Sequence, residues 1–388
     1  MNIDLHLFAA IGELARLKDV FSSIISSDDK ALLRHLVNKR NDKTKTILHI
    51  ACDCGHEDVV RYLISLGRDV LEINEVNKGG NTALAFASMA GASDVVRLLL
   101  NTDLSGDFEV EVYRKNNEGN NAMFIAAQSG HDCVVHELLY YERRKNHNGN
   151  SYVLSPCGKF HVSISHSEYL DEANKDGFTP LLAAAQMGHE NVLSFLIANG
   201  ATDEICTAKG NNALHLAAMG GHMKIVCTLA TYDNIRNSYN RDGISPLMFA
   251  VYNDYLNIAV HLLENEASLD DLLVNVDQKK LNRSSRERKL CVSSSCLQRC
   301  EKLLMYASQH GPRYSRVIEG LINHIDGLDI YKEVRFLSTS EEDEHDDRAY
   351  RFSTRAAVYS RRYSLIDTIF LIIISCCCFY YIKYQLAL

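Results

Sequence analysis

Apolar positions along this chain come in short paired stripes, not long runs. In residues 175–201, KDGFTPLLAAAQMGHENVLSFLIANGA, a polar turn precedes an apolar and small-residue stretch opening at Leu181. Gly188 interrupts it, and a second stripe, VLSFLI, follows at helical spacing. The arrangement recurs. Taking the apolar residue that opens each first stripe as an anchor, copies begin at Leu48, Leu84, Met123, Leu181, Leu214 and Leu247, separated by 36, 39, 58, 33 and 33 residues. Self-similarity at such a period marks a stacked array of short supersecondary units.

Each unit has its own local chemistry. Asn41, Asn77, Asn116, Asn174 and Asn240 open the units, and Gly80, Gly119, Gly177, Gly210 and Gly243 follow shortly after. Both residue types tolerate left-handed backbone, which predicts turn tips. Thr46, Thr82, Thr179 and Ser245 precede the apolar stretch and suit helix N-caps. The pairs Ala126-Ala127, Ala184-Ala185 and Ala217-Ala218 let the first helix pack closely on its neighbours. Glycines 55, 91, 130, 188 and 221 end that helix. Stripes such as VVRYLI and VVRLLL predict a second, amphipathic helix. One unit cannot bury these surfaces alone; stacking does so. The predicted fold is an all-α solenoid of helix-turn-helix units with short hairpin tips.

The residues that carry the pattern resemble those of the ankyrin repeat, with its period of about 33 and T-P-L-H-x-A signature. TPLLAA at 179–184, TILHIA at 46–51, NALHLA at 212–217 and SPLMFA at 245–250 match in part. So do the pairs Gly55-His56, Gly130-His131, Gly188-His189 and Gly221-His222. The pattern departs at Ala92 and Tyr255, where the histidine is absent, and at Asp254, where the glycine is absent.

Six repeats occupy 41–270, with an insertion at about 142–170. Residues 1–40 form a degenerate capping repeat anchored on Leu5 with Gly12 at its helix end. Residues 271–335 combine a Ser/Arg-rich insertion, about 271–298, with a degenerate last repeat around LLMYASQHG, residues 303–311. Residues 336–363 are an acidic then basic linker, and 364–388 a membrane segment. That segment holds an apolar stretch of eighteen residues with one aspartate, from Leu365 to Ile382. As a helix it would span ~27 Å, close to the hydrocarbon thickness of a bilayer. Tyr380, Tyr381 and Tyr384 suit an interface, and Lys383 can snorkel. Arg355, Arg361 and Arg362 precede the stretch and place the repeats on the cytosolic side. The alternative is a terminal helix packed on the array, which a stretch apolar on all faces fits poorly. Cys376, Cys377 and Cys378 lie within it, open to acylation or to plain contact with lipid.

Composition narrows the function classes. Hydrophobic residues make up 46% and charged residues 23%, enough for a packed core. The net charge of −8 argues against nucleic acid as the main partner, since phosphate binding needs a basic face. The twelve cysteines are dispersed and the N-terminus lacks a secretion signal, which predicts a reducing compartment.

Candidate chemistry is sparse. His56, His131, His189 and His222 share one repeat position, which predicts hydrogen bonds between neighbouring turns and not metal ligation; His49 and His215 share another. Cys52, Cys54 and His56 lie close in sequence, but no second pair completes a zinc set, and Cys291, Cys296 and Cys300 lack a fourth ligand. The sharper enzyme reading is Cys157 with His161 or His166, in an insertion of about thirty residues that is small for a catalytic domain. No phosphate loop or paired-carboxylate motif appears. The chain is read as a non-enzyme without cofactor or metal.

The resemblance implies a protein-binding scaffold whose partner meets the concave side, built from tips and the exposed edge of the first helices. The tips here are Lys43, Lys78, Glu118, Lys175, Lys209 and Arg241. The helix edge offers Asp53, Cys54, Met89, Gln128, Gln186, Met187, Met219, Tyr252 and Gln309. With the tail as anchor, the expectation is a membrane-tethered adaptor. Low proline, no tryptophan, abundant asparagine and an acidic block near the C-terminus resemble ankyrin effectors of intracellular bacteria such as Legionella and Coxiella. The alternative is a toxin-like enzyme using the 142–170 insertion.

Overall fold

The computed structural model describes residues 4–146, 168–268 and Leu303. Every regular element among the described residues is helical. The chain divides into two compact units, Met1–Ile225 and Val226–Leu388.

The first unit opens with three helices, α1 (Leu5–Ile11), α2 (Leu14–Ser26) and α3 (Lys30–Val37). The α1 helix ends at Gly12 as its sequence predicts, with φ 74°. The third helix adds a turn-capped segment to the two-helix unit expected there: the Asp29 carboxylate accepts the Leu32 N–H, and Leu33 and Val37 are buried.

Four helix pairs follow: α4 (Ile47–Asp53) and α5 (Glu57–Ser65), α6 (Ala83–Ala90) and α7 (Ser93–Ser105), α8 (Ala122–Ser129) and α9 (Asp132–Asn146), and α10 (Pro180–Met187) and α11 (Glu190–Ala198). Then come α12 (Ala213–Gly220) and α13 (Met223–Leu229), which runs into the second unit. The first helices α1, α4, α6, α8, α10 and α12 pack in series, each on the next. The outer helices α5, α7, α9 and α11 form a second row in the same order.

Sequence explains why these helices start and stop where they do. Thr46, Thr82, Asn121, Thr179 and Asn212 each accept a hydrogen bond from the N–H three residues on, satisfying a donor that the helix cannot. At the other end Gly91, Gly130, Gly188 and Gly221 adopt left-handed backbone and close the helix. Between the caps the first helices bury nearly every side chain: Ala122 through Ala127 in α8, and Pro180 through Ala185 in α10. The alanines permit that close approach, and the anchors Leu48, Leu84, Met123, Leu181 and Leu214 are at most 2% exposed.

The 142–170 insertion leaves the stack continuous. Its last residues form a short 3₁₀ turn, Glu168–Leu170, whose Tyr169 hydroxyl accepts the Met123 N–H at 3.2 Å. Beyond it the Lys175 N–H donates to the Glu118 carbonyl at 3.2 Å, and Asn174 Nδ2 to Asn120 Oδ1 at 2.9 Å. These bonds span more than fifty residues of sequence yet join neighbouring tips.

The second unit holds the rest of α13, then α14 (Asp233–Arg236), α15 (Pro246–Tyr252) and α16 (Leu256–Glu264). Ser245 caps α15 through the Met248 N–H, and Leu247 is buried. Where the sequence lacks the helix-ending glycine, Asp254 itself takes φ 61°. Of the degenerate last repeat only Leu303 is described; it is helical and buried.

No helix of the described residues is long and apolar enough to cross a membrane. The tail stretch 365–382 lies outside them, as do the 271–298 insertion and the linker.

Candidate partner-binding face

Each tip is a five-residue loop closed on its first residue. The Asn77 N–H donates to the Asn81 carbonyl at 3.1 Å, and Asn77 Oδ1 accepts the N–H groups of Gly79 and Asn81, both at 2.9 Å. Asn41, Asn116, Asn174 and Asn240 do the same, and the Thr207 hydroxyl plays this part in the fifth tip. The tips are therefore closed turns without strand pairing.

Successive tips are tied by backbone. The Asn117 N–H donates to the Gly79 carbonyl at 3.0 Å, and the Ala208 N–H to the Asp176 carbonyl at 3.0 Å. The left-handed glycines permit this approach: a Cβ on Gly80, Gly119 or Gly177 would fall 2.7–2.9 Å from atoms of the next tip. The first tip differs. Thr44 sits at φ 58° in the place of a glycine, and its hydroxyl accepts the Lys78 N–H at 2.6 Å.

This geometry presents the side chains at the loop apices to solvent. Lys43, Lys78, Glu118, Lys175 and Lys209 are exposed in the first unit, and Arg241 in the second. Lys175 is not a free cation, because its Nζ donates to the Asn117 carbonyl at 2.7 Å. Along the helix edge Met89 and Met187 are 44% and 45% exposed, and Asp53, Gln128 and Gln186 are half-buried. Tyr252, in the second unit, is 41% exposed. Met219 is half-buried, less open than the exposed apolar contact expected of it. Gln309 lies outside the described residues.

The repeated histidines have structural work. His56 Nε2 donates to the Ala10 carbonyl at 2.9 Å, His131 to Met89 at 3.0 Å, His189 to Gln128 at 3.0 Å and His222 to Gln186 at 2.9 Å. Each bond joins one repeat to its predecessor. His49 is committed twice over: Nδ1 accepts the Thr46 N–H at 3.1 Å, and Nε2 donates to the Glu75 carbonyl at 2.9 Å. Burial holds its pKa down to about 4, so the ring is neutral. His215 is buried too, and its Nδ1 accepts the Asn212 N–H at 3.4 Å.

In the CDCGH stretch, Cys52 is wholly buried and burial pushes its thiol far above the ordinary range, Cys54 is exposed, and the His56 ring is committed to Ala10. The three do not converge. Cys157, His161, His166, Cys291, Cys296 and Cys300 lie outside the described residues.

Sequence reasoning missed a polar knot between outer helices. Asp103 on α7 accepts hydrogen bonds from the Tyr141 hydroxyl and from Lys145 Nζ at 3.0 Å, both on α9, and from the Val110 N–H at 2.8 Å. Desolvation pulls against ionisation there, but these donors hold the carboxyl below its usual range. Tyr113 meets Tyr169 edge-on at 4.8 Å beside it. No repeat signature encodes this cluster, since its members occupy variable positions.

A family model of ankyrin repeats, three copies long, matches overlapping stretches at 21–74, 70–150, 108–207, 163–236 and 201–272. The chain belongs to the ankyrin-repeat family. Its described part is an ankyrin-repeat scaffold of the protein-interaction kind. The array is similar to the transient receptor potential cation channel subfamily A member 1 homolog of Caenorhabditis elegans, 27% identical over 233 residues, covering 58% of this chain and 18% of that protein. It is also similar to the B-cell lymphoma 3 protein homolog of Mus musculus, 27% identical over 214 residues, covering 55% of this chain and 41% of that protein. The match thus spans less than half the length of either relative. Among solved structures, an ankyrin repeat domain from Acinetobacter baumannii AYE aligns with a TM-score of 0.43 at 23% identity, covering 57% of this chain and 98% of that one.

Proposed function

We propose that the chain is a scaffold that holds a protein partner on its tips and inner-helix edge, and that residues 365–382 tether it to a membrane. One contrast supports the scaffold reading. Behind the face, the anchors repeat and are buried. On it, the equivalent residues Asp53, Met89, Gln128, Gln186 and Met219 of the first unit differ from repeat to repeat. A repeated frame with unrepeated contacts suits one chosen partner, and the large apolar side chains Met89 and Met187 are left at the surface.

The exposed cations define the test. Reversing charge together at Lys175 and Lys209 should weaken capture roughly tenfold or more, because like charge across an interface is costly. The helical melting curve should stay within a few degrees of wild type. Unchanged capture would remove the tips from the binding face.

The tether rests on the sequence alone: an apolar stretch of bilayer length preceded by Arg355, Arg361 and Arg362. Expressed in a eukaryotic cell, the full chain should stay in the carbonate-washed membrane pellet, and a chain ending at Ser364 should be soluble. If both are soluble, the anchor reading fails. A secreted effector acting on host proteins fits the same features. A translocation reporter fused to the chain that never leaves the producing cell would remove that reading.

A further inference from the structure

The histidine bonds between repeats have a second effect. Each ring also lies over the left-handed glycine that ends the preceding inner helix. A Cβ on Gly12, Gly91, Gly130 or Gly188 would fall 2.5–2.8 Å from His56, His131, His189 or His222 respectively. All four glycines are half-buried as a result.

One junction of the first unit is built differently. Between the repeats anchored on Leu48 and Leu84, the residue at the histidine position is Ala92. Among the described residues a Cβ on Gly55 would meet only the Ala92 methyl, at 3.6 Å, and Gly55 is exposed. The Asp53 carbonyl stands two residues before Gly55, the register at which Ala10, Met89, Gln128 and Gln186 accept an imidazole N–H. No described residue donates to it. The same junction is the one whose tips are joined through the Thr44 hydroxyl instead of by backbone alone.

We propose that this junction is a receiving notch, and that a histidine side chain of the protein partner fills it, donating to the Asp53 carbonyl. The inference rests on the scaffold reading above and names the partner chemistry of one part of that face. The other junctions of this chain show what the notch accepts: a flat five-membered ring over a glycine, with its N–H 2.9–3.0 Å from the carbonyl. The Asp53 side chain is itself engaged, so its backbone carbonyl is the acceptor the notch presents. The Asp53 carboxylate is already paired with Lys45 Nζ at 2.6 Å, and that ammonium sits 4.1 Å over the Phe86 ring. Met89, 44% exposed on the next helix, offers an apolar flank for the residues around the partner histidine.

The test uses the full chain and 4-methylimidazole at pH 8, where the probe is largely neutral, followed by amide shifts. Saturable shifts at Gly55 and Ala92 are expected, with half-saturation on the order of tens of millimolar for so small a ligand. Ala92→His closes the notch from within and should abolish them while raising the melting midpoint. His131→Ala opens the same notch over Gly91 and should gain the response there. Absence of shifts at Gly55 in wild type, or shifts undiminished in Ala92→His, overturns the proposal. These readouts need no partner, so they succeed or fail independently of charge reversal at the tips. Once a partner is captured through the tips, Ala92→His should lower its capture at least tenfold; unchanged capture overturns the partner assignment.

Discussion

Gly177→Ala is expected to destabilise the first unit by roughly 2–4 kcal/mol. Gly177 has φ 78°, where a Cβ costs about 1–2 kcal/mol by itself. The added methyl would also stand 2.8 Å from the Ala208 nitrogen, whose N–H ties the fourth tip to the fifth. That neighbour is backbone, so it cannot swing away as a side chain can. The tips must part, and a hydrogen bond worth about 1 kcal/mol is lost. Gly243→Ala is the control. Its φ is 72° but no atom of the described residues lies within 4 Å of the added carbon, so only the conformational cost, about 1–2 kcal/mol, applies. Urea unfolding of the two variants separates the terms. Equal losses would mean that the tip contact contributes nothing.

The second large effect is acid loosening through His49. The ring is 1% exposed, with Nδ1 accepting from Thr46 and Nε2 donating to Glu75. A proton added at Nδ1 would point at the Thr46 N–H, and Arg40 and Lys45 also disfavour the charge. The folded pKa, about 4, lies below the ordinary 6.5, so the neutral ring favours the folded state. Its contribution is complete above pH 6.5 and declines as pH falls from 6.5 toward 4, by roughly 3 kcal/mol in all. His49→Gln starts less stable and should show a shallower decline across this window in urea midpoints. Parallel curves would remove His49 as the cause.

Much of this was legible in the sequence because stacking repeats its requirements. The caps Thr46, Thr82 and Thr179, the closing glycines and the buried anchors stand in register, so six weak signals reinforce one another. What stayed hidden has no such repetition. Thr44 takes a left-handed conformation that its residue type disfavours, held by a bond to Lys78 from another tip. The α3 helix follows no 33-residue register. The Asp103–Tyr141–Lys145 knot joins two outer helices at positions that vary between repeats. On the candidate face, exposure follows from the tip geometry, which sequence foresaw. The tie between Lys175 and Asn117 and the partial burial of Met219 depend on the spacing of neighbouring repeats, which sequence did not state.

The tip and inner-helix face is expected to hold a protein. The most direct measurement places a photo-crosslinking amino acid at Met187 or Gln128 on that face, and at Arg61 on the exposed side of outer helix α5, in the full chain inside cells. The account predicts a discrete protein adduct from Met187 and Gln128 and none from Arg61. An adduct from Arg61 alone would put the binding surface on the opposite side of the array and contradict the account.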